Sequence, residues 1–175
     1  MKWEEINTQI CSIARTLSIV GDRWTLLIIR DIFMGLRRFS EIQSSLEITK
    51  HRLSDRLHKL QQGGIIEKRT VDPSGKRFEY FLTEKGLDLY PVLIGLVQWG
   101  DRWESGQYGE PVRYRHKVCG ELMRPHYCCD QCGVPLHPSE IENCPGPAVK
   151  KLADETQFAN LPLRVKKLLG STDSR

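Results

Sequence analysis

A chain of 175 residues, 39% hydrophobic and 27% charged with a net charge of +4, can hold one good domain, or one of about 100 residues with a smaller appendage. No apolar run approaches the roughly 18 residues that a membrane span needs. The first residues, MKWEEINTQIC, carry two acids and no apolar segment of the secretory kind, so a cytoplasmic protein is expected and no membrane partner.

Taken in chain order, the first periodic stretch is Gln9 to Val20, where Ile10, Ile13, Leu17 and Val20 recur at helical spacing. A second helix is predicted from about Asp22, which can cap it, to Met34, with Gly35 as its stop. Leu26, Leu27, Ile28, Ile29, Ile32 and Phe33 make it apolar nearly all round, and a helix of that kind is buried. In RRFSEIQSSLE, Ser40 followed by Gln43 has the form of a capping box for a short helix carrying Ile42 and Leu46.

Thr49 then caps a helix over 49–62, ended by Gly63 and Gly64. At about 100° per residue, Leu53, Leu57 and Leu60 share one face. His51, Asp55 and His58 point away from it, flanked by Arg52, Ser54 and Lys59. A short helix, a tight turn and an amphipathic helix make a helix-turn-helix. Ile65 to Val71 and Lys76 to Leu82 read as strands joined by the turn residues DPSG, a hairpin with Arg69, Lys76 and Arg77 near its tip. A hairpin directly after a helix-turn-helix is a wing. Thr83 can cap a last long helix to about Trp103, kinked at Pro91. Its apolar residues outnumber one core-facing stripe, so either they cover their own core or they pair with a second copy, and a homodimer through the first and last helices is expected.

Charge supports an anionic partner. Between Arg37 and Arg77 ten basic residues face five acids, a local excess larger than that of the whole chain. A solvated charged surface is the plain alternative. The fold class expected is mainly α with a small β-hairpin wing, a winged helix-turn-helix, followed by a small Cys/His-rich module.

CSIARTLSIVGDRWTLLIIRDIFMGLRRFSEI, then LSDRLHKLQQGGIIEKR, FEYFLTEKGLDLYPVL and VQWG, over roughly residues 11–103, resemble the HxlR family of bacterial transcriptional regulators. The resemblance implies a winged helix-turn-helix homodimer that binds double-stranded operator DNA near a promoter. With 49–62 as the recognition helix, Lys50, His51, Arg52, Ser54, Asp55 and Arg56 become the candidate base-reading set. Lys and Arg suit guanine acceptors, and Asp can accept from cytosine or orient Arg52 or Lys59. Arg38, Ser40, Thr49, Lys59, Arg69, Lys76 and Arg77 complete the expected DNA contacts, the wing pair along the backbone or in a minor groove. Where the family commonly has Cys-Pro at the first helix, this chain has Cys11 and Ser12, so the thiol alone matches. Cys11 is either a small buried residue or a sensing thiol that Arg15, one turn on, helps to ionise; an oxidant or small-molecule effector follows from the second reading.

Five of the six cysteines lie between Cys119 and Cys144. In HKVCGELMRPHYCCDQCG, His116-x-x-Cys119 and Cys129-x-x-Cys132 are each followed by glycine, the form of two turns that offer sulfur and imidazole to one structural zinc. Cys128, His126, His137 or Cys144 could replace one ligand, a thiol redox pair at Cys128 and Cys129 or at Cys129 and Cys132 competes, and so do inert cysteines. The expected division is 1–104 for the winged helix, 105–147 for the Cys/His-rich module and 148–175 for a weakly amphipathic stretch ending in a disordered polar tail. There is no GxSxG, HExxH or phosphate loop, so no enzyme is expected. A module that docks a partner protein by its basic face is the other reading.

Overall fold

The apolar spacing after Gln9 becomes helix α1 only from Ser12 (Ser12–Val20), behind a 3-10 turn over Trp3–Thr8, in the computed structural model, which describes residues 3–170. Helix α2 (Arg23–Phe33) begins where the Asp22 side chain accepts the Trp24 N–H at 3.0 Å and stops before Gly35, whose φ of +93° suits a residue without Cβ. Its Ile28 and Ile29 are fully buried.

Helix α3 (Phe39–Leu46) starts one residue ahead of Ser40, so the expected Ser40–Gln43 capping box is replaced. The Glu41 carboxylate instead accepts the backbone N–H of Arg37 and of Arg38, both at 3.0 Å, and Gln43 donates to the Ile48 carbonyl at 3.3 Å across the turn. Those N–H donors, the Arg38 one foremost, hold the Glu41 carboxyl below its ordinary range. Glu47 takes the left-handed conformation that turns the chain, and helix α4 (Lys50–Gln62) follows with Thr49 accepting the Arg52 N–H at 3.4 Å.

Strand β1 (Ile66–Thr70) pairs antiparallel with β2 (Phe78–Leu82), Ile66 opposite Leu82 and Thr70 opposite Phe78. The DPSG turn closes on Asp72, whose carboxylate accepts the Ser74 hydroxyl and, at 2.7 Å, the Arg77 N–H. The Tyr80 N–H donates to the Arg37 carbonyl at 2.9 Å, which fixes the hairpin to the loop before α3. Burial of Tyr80 pushes its phenol up from the ordinary range.

The long last helix expected from Thr83 to Trp103 is in fact two: α5 (Glu84–Leu87) and α6 (Tyr90–Trp103). Pro91 does not kink a continuous helix. It sits at the start of α6, where its missing N–H costs nothing, and the chain breaks just before it. One apolar core joins these parts: Val20, Ile28, Ile29, Ile42, Leu53, Leu57, Leu60 and Ile66 are all buried in it. Mostly helical with an antiparallel hairpin, this is a winged helix-turn-helix.

The chain divides between Arg113 and Tyr114 into two units. In the second, β3 (Tyr114–Arg115) pairs with β4 (Leu122–Met123), and an isolated bridge joins Cys128 to Pro135. Two helices follow, α7 (Pro147–Glu155) and α8 (Leu163–Gly170), where only weakly amphipathic stretches were expected. Among the described residues its buried side chains are Val149, Leu161 and Val165. The expected polar tail falls on 171–175, outside the described residues. No helix among those described is long and apolar enough to cross a membrane.

Candidate nucleic-acid interface

Leu53, Leu57 and Leu60 seat α4 in the core, and that seating decides what its other face shows. Lys50, His51, Arg52 and Ser54 are exposed at its N-terminal end, and their side chains make no ion pair or hydrogen bond among the described residues. His58 is exposed on the same helix. Thr49 uses its hydroxyl as the helix cap, and Ser40 is exposed in the first turn of α3.

Other expected contacts are already engaged. Arg56 is only partly exposed, with Nε 3.1 Å from Asp22 Oδ1 and Nη1 3.2 Å from Asp55 Oδ2. It therefore braces α4 against the cap of α2. Asp55 also lies 3.3 Å from Lys59 Nζ, the i+4 partner expected for it, whereas it forms no pair with Arg52. Arg38 reaches Glu79 Oε1 at 3.4 Å and Glu41 Oε1 at 3.9 Å, which ties α3 to the wing.

On the wing, Lys76 and Arg77 are exposed at the tip without an ion pair among the described residues. Arg69 pairs with Glu67 and lies 4.8 Å from the Phe81 ring centroid, with Arg37 at 4.5 Å from the same ring. Lys68 lies 4.2 Å from the Phe78 ring. Arg37 and Lys68 belong to the basic segment but not to the expected DNA contacts. Lys68 to Phe78 and Arg69 to Phe81 are diagonal cross-strand neighbours, and once DPSG fixes the register that diagonal is readable from the sequence.

A second surface lies on the same unit. Val92, Leu96, Trp99 and Trp103 form one exposed stripe along α6, the two tryptophans 59% and 62% exposed, and Ile13 on α1 is 72% exposed. Cys11 sits at the N-cap of α1, partly buried and outside any disulfide, its carbonyl accepting the Arg15 N–H at 3.0 Å.

In the second unit the cysteine motifs form two local pairs. His116 Nδ1 lies 3.3 Å from Cys119 Sγ, and the Cys129 sulfur faces the backbone N–H of Cys132 and of Gln131 and the Cys132 side chain, which together hold its thiol below the ordinary range. The single four-ligand set expected from His116, Cys119, Cys129 and Cys132 is not assembled: among the described residues no three His, Cys, Asp or Glu side chains gather at metal-binding geometry. The reason is local. Each pair is built by its own short hairpin.

Three comparisons bear on this surface. The model of the HxlR-like helix-turn-helix family matches residues 19–108. The "Uncharacterized HTH-type transcriptional regulator Rv3095" of Mycobacterium tuberculosis (strain ATCC 25618 / H37Rv) is 40% identical over 143 residues, which cover 81% of this chain and 90% of that protein. Among solved structures, PA1607, described as a putative transcription factor, aligns with a TM-score of 0.69 at 34% identity over 78% of this chain and 95% of that one. The putative transcription factor PA1374 from Pseudomonas aeruginosa aligns with a TM-score of 0.53 at 32% identity over 90% and 99%. With a family model over half of its length and a relative matched nearly end to end, the chain belongs to the HxlR-like helix-turn-helix family of transcriptional regulators.

Proposed function

We propose that the chain represses transcription as a homodimer bound to a palindromic operator, with α4 in the major groove and the wing along the backbone. The observation that carries this reading is the set of unengaged groups at the start of α4: Lys50, His51, Arg52 and Ser54 have no partner among the described residues to compete with DNA. Residues at that end of a recognition helix meet base edges, and Lys76 and Arg77 are suited to phosphates. Asp55, held by Arg56 and Lys59, orients the helix face more than it reads a base.

The apolar stripe of α6, with Ile13 of α1, supports pairing of two copies through these helices. Cys11, at the end of the helix in that pairing surface, is the thiol through which an oxidant or electrophile would act on the dimer. Cys11→Ser should keep DNA affinity and lose any response to thiol-reactive compounds.

Selection of bound sequences from random duplex DNA tests the reading, run with and without an oxidant. Recovery of an inverted repeat with half-sites about one helical turn apart, roughly 34–36 Å, is the expected result. Failure to enrich any sequence, together with affinity that does not fall as salt rises, would instead favour a basic face that docks a protein.

A further inference from the structure

From Tyr114 to Pro145 no residue is buried, yet the segment holds the β3–β4 pair and a turn closed by the Cys128–Pro135 bridge. So short a stretch without a core needs a staple, a disulfide or a metal. Within it, the two motifs fold into the same turn. Gly120 N–H donates to the His116 carbonyl at 2.8 Å and His116 N–H to the Glu121 carbonyl at 2.9 Å. Gly133 N–H donates to the Cys129 carbonyl at 2.8 Å and Cys129 N–H to the Val134 carbonyl at 2.9 Å. The correspondence extends to conformation, Gly120 at φ +75° and Gly133 at φ +70°, values that explain a glycine after each Cys.

This turn aims two side chains to one side of its backbone. His116 Nδ1 and Cys119 Sγ, 3.3 Å apart, are spaced close to neighbouring vertices of a zinc tetrahedron, which bond lengths of about 2.1 and 2.3 Å put at about 3.6 Å. At the second turn, backbone N–H groups of Gln131 and Cys132 face the Cys129 sulfur, outer-shell hydrogen bonds of the kind metal ligands commonly receive. A disulfide staple has no use for His116, whereas zinc takes imidazole and thiolate alike.

We propose that the two turns are the halves of one structural zinc site, with His116 and Cys119 from the first and Cys129 and Cys132 from the second, and that the metal joins hairpins which the chain alone builds separately. Four protein ligands leave no open position, so the site is structural and not catalytic. Binding releases the three thiol protons and changes no oxidation state.

The test is metal analysis of the full chain purified under reducing conditions, with cobalt(II) titration and thiol alkylation read by mass spectrometry. The expected result is one zinc per chain, visible absorption of tetrahedral thiolate-ligated cobalt, and protection of Cys119, Cys129 and Cys132 from alkylation until a chelator is added. Cys128 and Cys144 should react throughout, and Cys128→Ser and Cys144→Ser should keep the metal while Cys132→Ser loses it. Protein that binds neither metal and whose Cys119, Cys129 and Cys132 alkylate as fast as Cys128 would overturn the site, even if every variant failed to fold. So would a Cys129–Cys132 disulfide whose reduction confers no zinc binding, or two metals per chain.

Discussion

Arg52 and Arg56 lie one turn apart on α4, and their surroundings give them different work. Arg52 is exposed with an unengaged guanidinium, while Arg56 is drawn to Asp22 and Asp55. Arg52→Ala should therefore cost about 1–3 kcal/mol on a selected operator and much less on random duplex, measured by fluorescence anisotropy on both. Arg56→Ala should weaken both alike and lower the thermal midpoint, because it loosens α4 from the cap of α2. The sequence made both arginines candidates and could not separate them, since Asp22 sits on a different helix and its approach depends on how Leu53 and Leu57 pack. Nor does the sequence separate Arg37 from the other basic residues of the segment, for the same reason: its partner ring, Phe81, is brought to it by the wing.

At the scale of elements, four of the helix boundaries follow from local chemistry that is plain in the sequence: Asp22, Gly35, Thr49 and Gly64 stand at the ends they were expected to mark. Two features did not. The Glu41 cap wins over Ser40–Gln43 because a carboxylate that reaches two N–H groups outcompetes a neutral hydroxyl. The break before α6 comes from the proline rule combined with a close approach elsewhere. Thr83 caps α5, its hydroxyl donates to the Gly64 carbonyl at 2.6 Å and its N–H to the Ile65 carbonyl at 3.0 Å, which presses that turn onto the chain entering β1. A Cβ at Gly86 would lie 2.2 Å from the Ile65 oxygen. Gly86→Ala should thus destabilise the winged helix by about 1–3 kcal/mol in urea unfolding, although alanine is the better helix former. For the wing, replacing Lys76 and Arg77 together by Ala should weaken all duplexes about equally and reduce the log-log salt slope by about 1 for each phosphate that the pair no longer neutralises.

For the whole molecule, the sequence suggested three parts, 1–104, 105–147 and 148–175, whereas the chain falls into two units, Met1–Arg113 and Tyr114–Arg175, with the cysteine motifs and the last helices in one. The helical end was legible only as a weakly amphipathic stretch: of the apolar residues of α7 and α8, Val149 and Val165 are buried, together with Leu161 between the two helices. Assembly is the property at this scale that matters for DNA. If α6 pairs two copies as proposed, Trp99→Glu, at the centre of its stripe, should keep the helical circular dichroism, lose the concentration dependence of the unfolding midpoint and sediment as a monomer. Its affinity for a palindrome should then fall to that for a single half-site.

The claim on which the rest depends is that the unengaged face of α4 reads DNA. Its most direct measurement is the affinity of the full chain for its selected duplex and for a scrambled one across a salt series, with Lys50→Ala and Arg52→Ala beside the wild type. The account predicts affinity for both duplexes that falls steeply with salt, a wild-type preference for the selected sequence, and loss of that preference in the two variants while scrambled-duplex binding persists. Wild-type and variant proteins that discriminate equally well would contradict it and move sequence reading off α4.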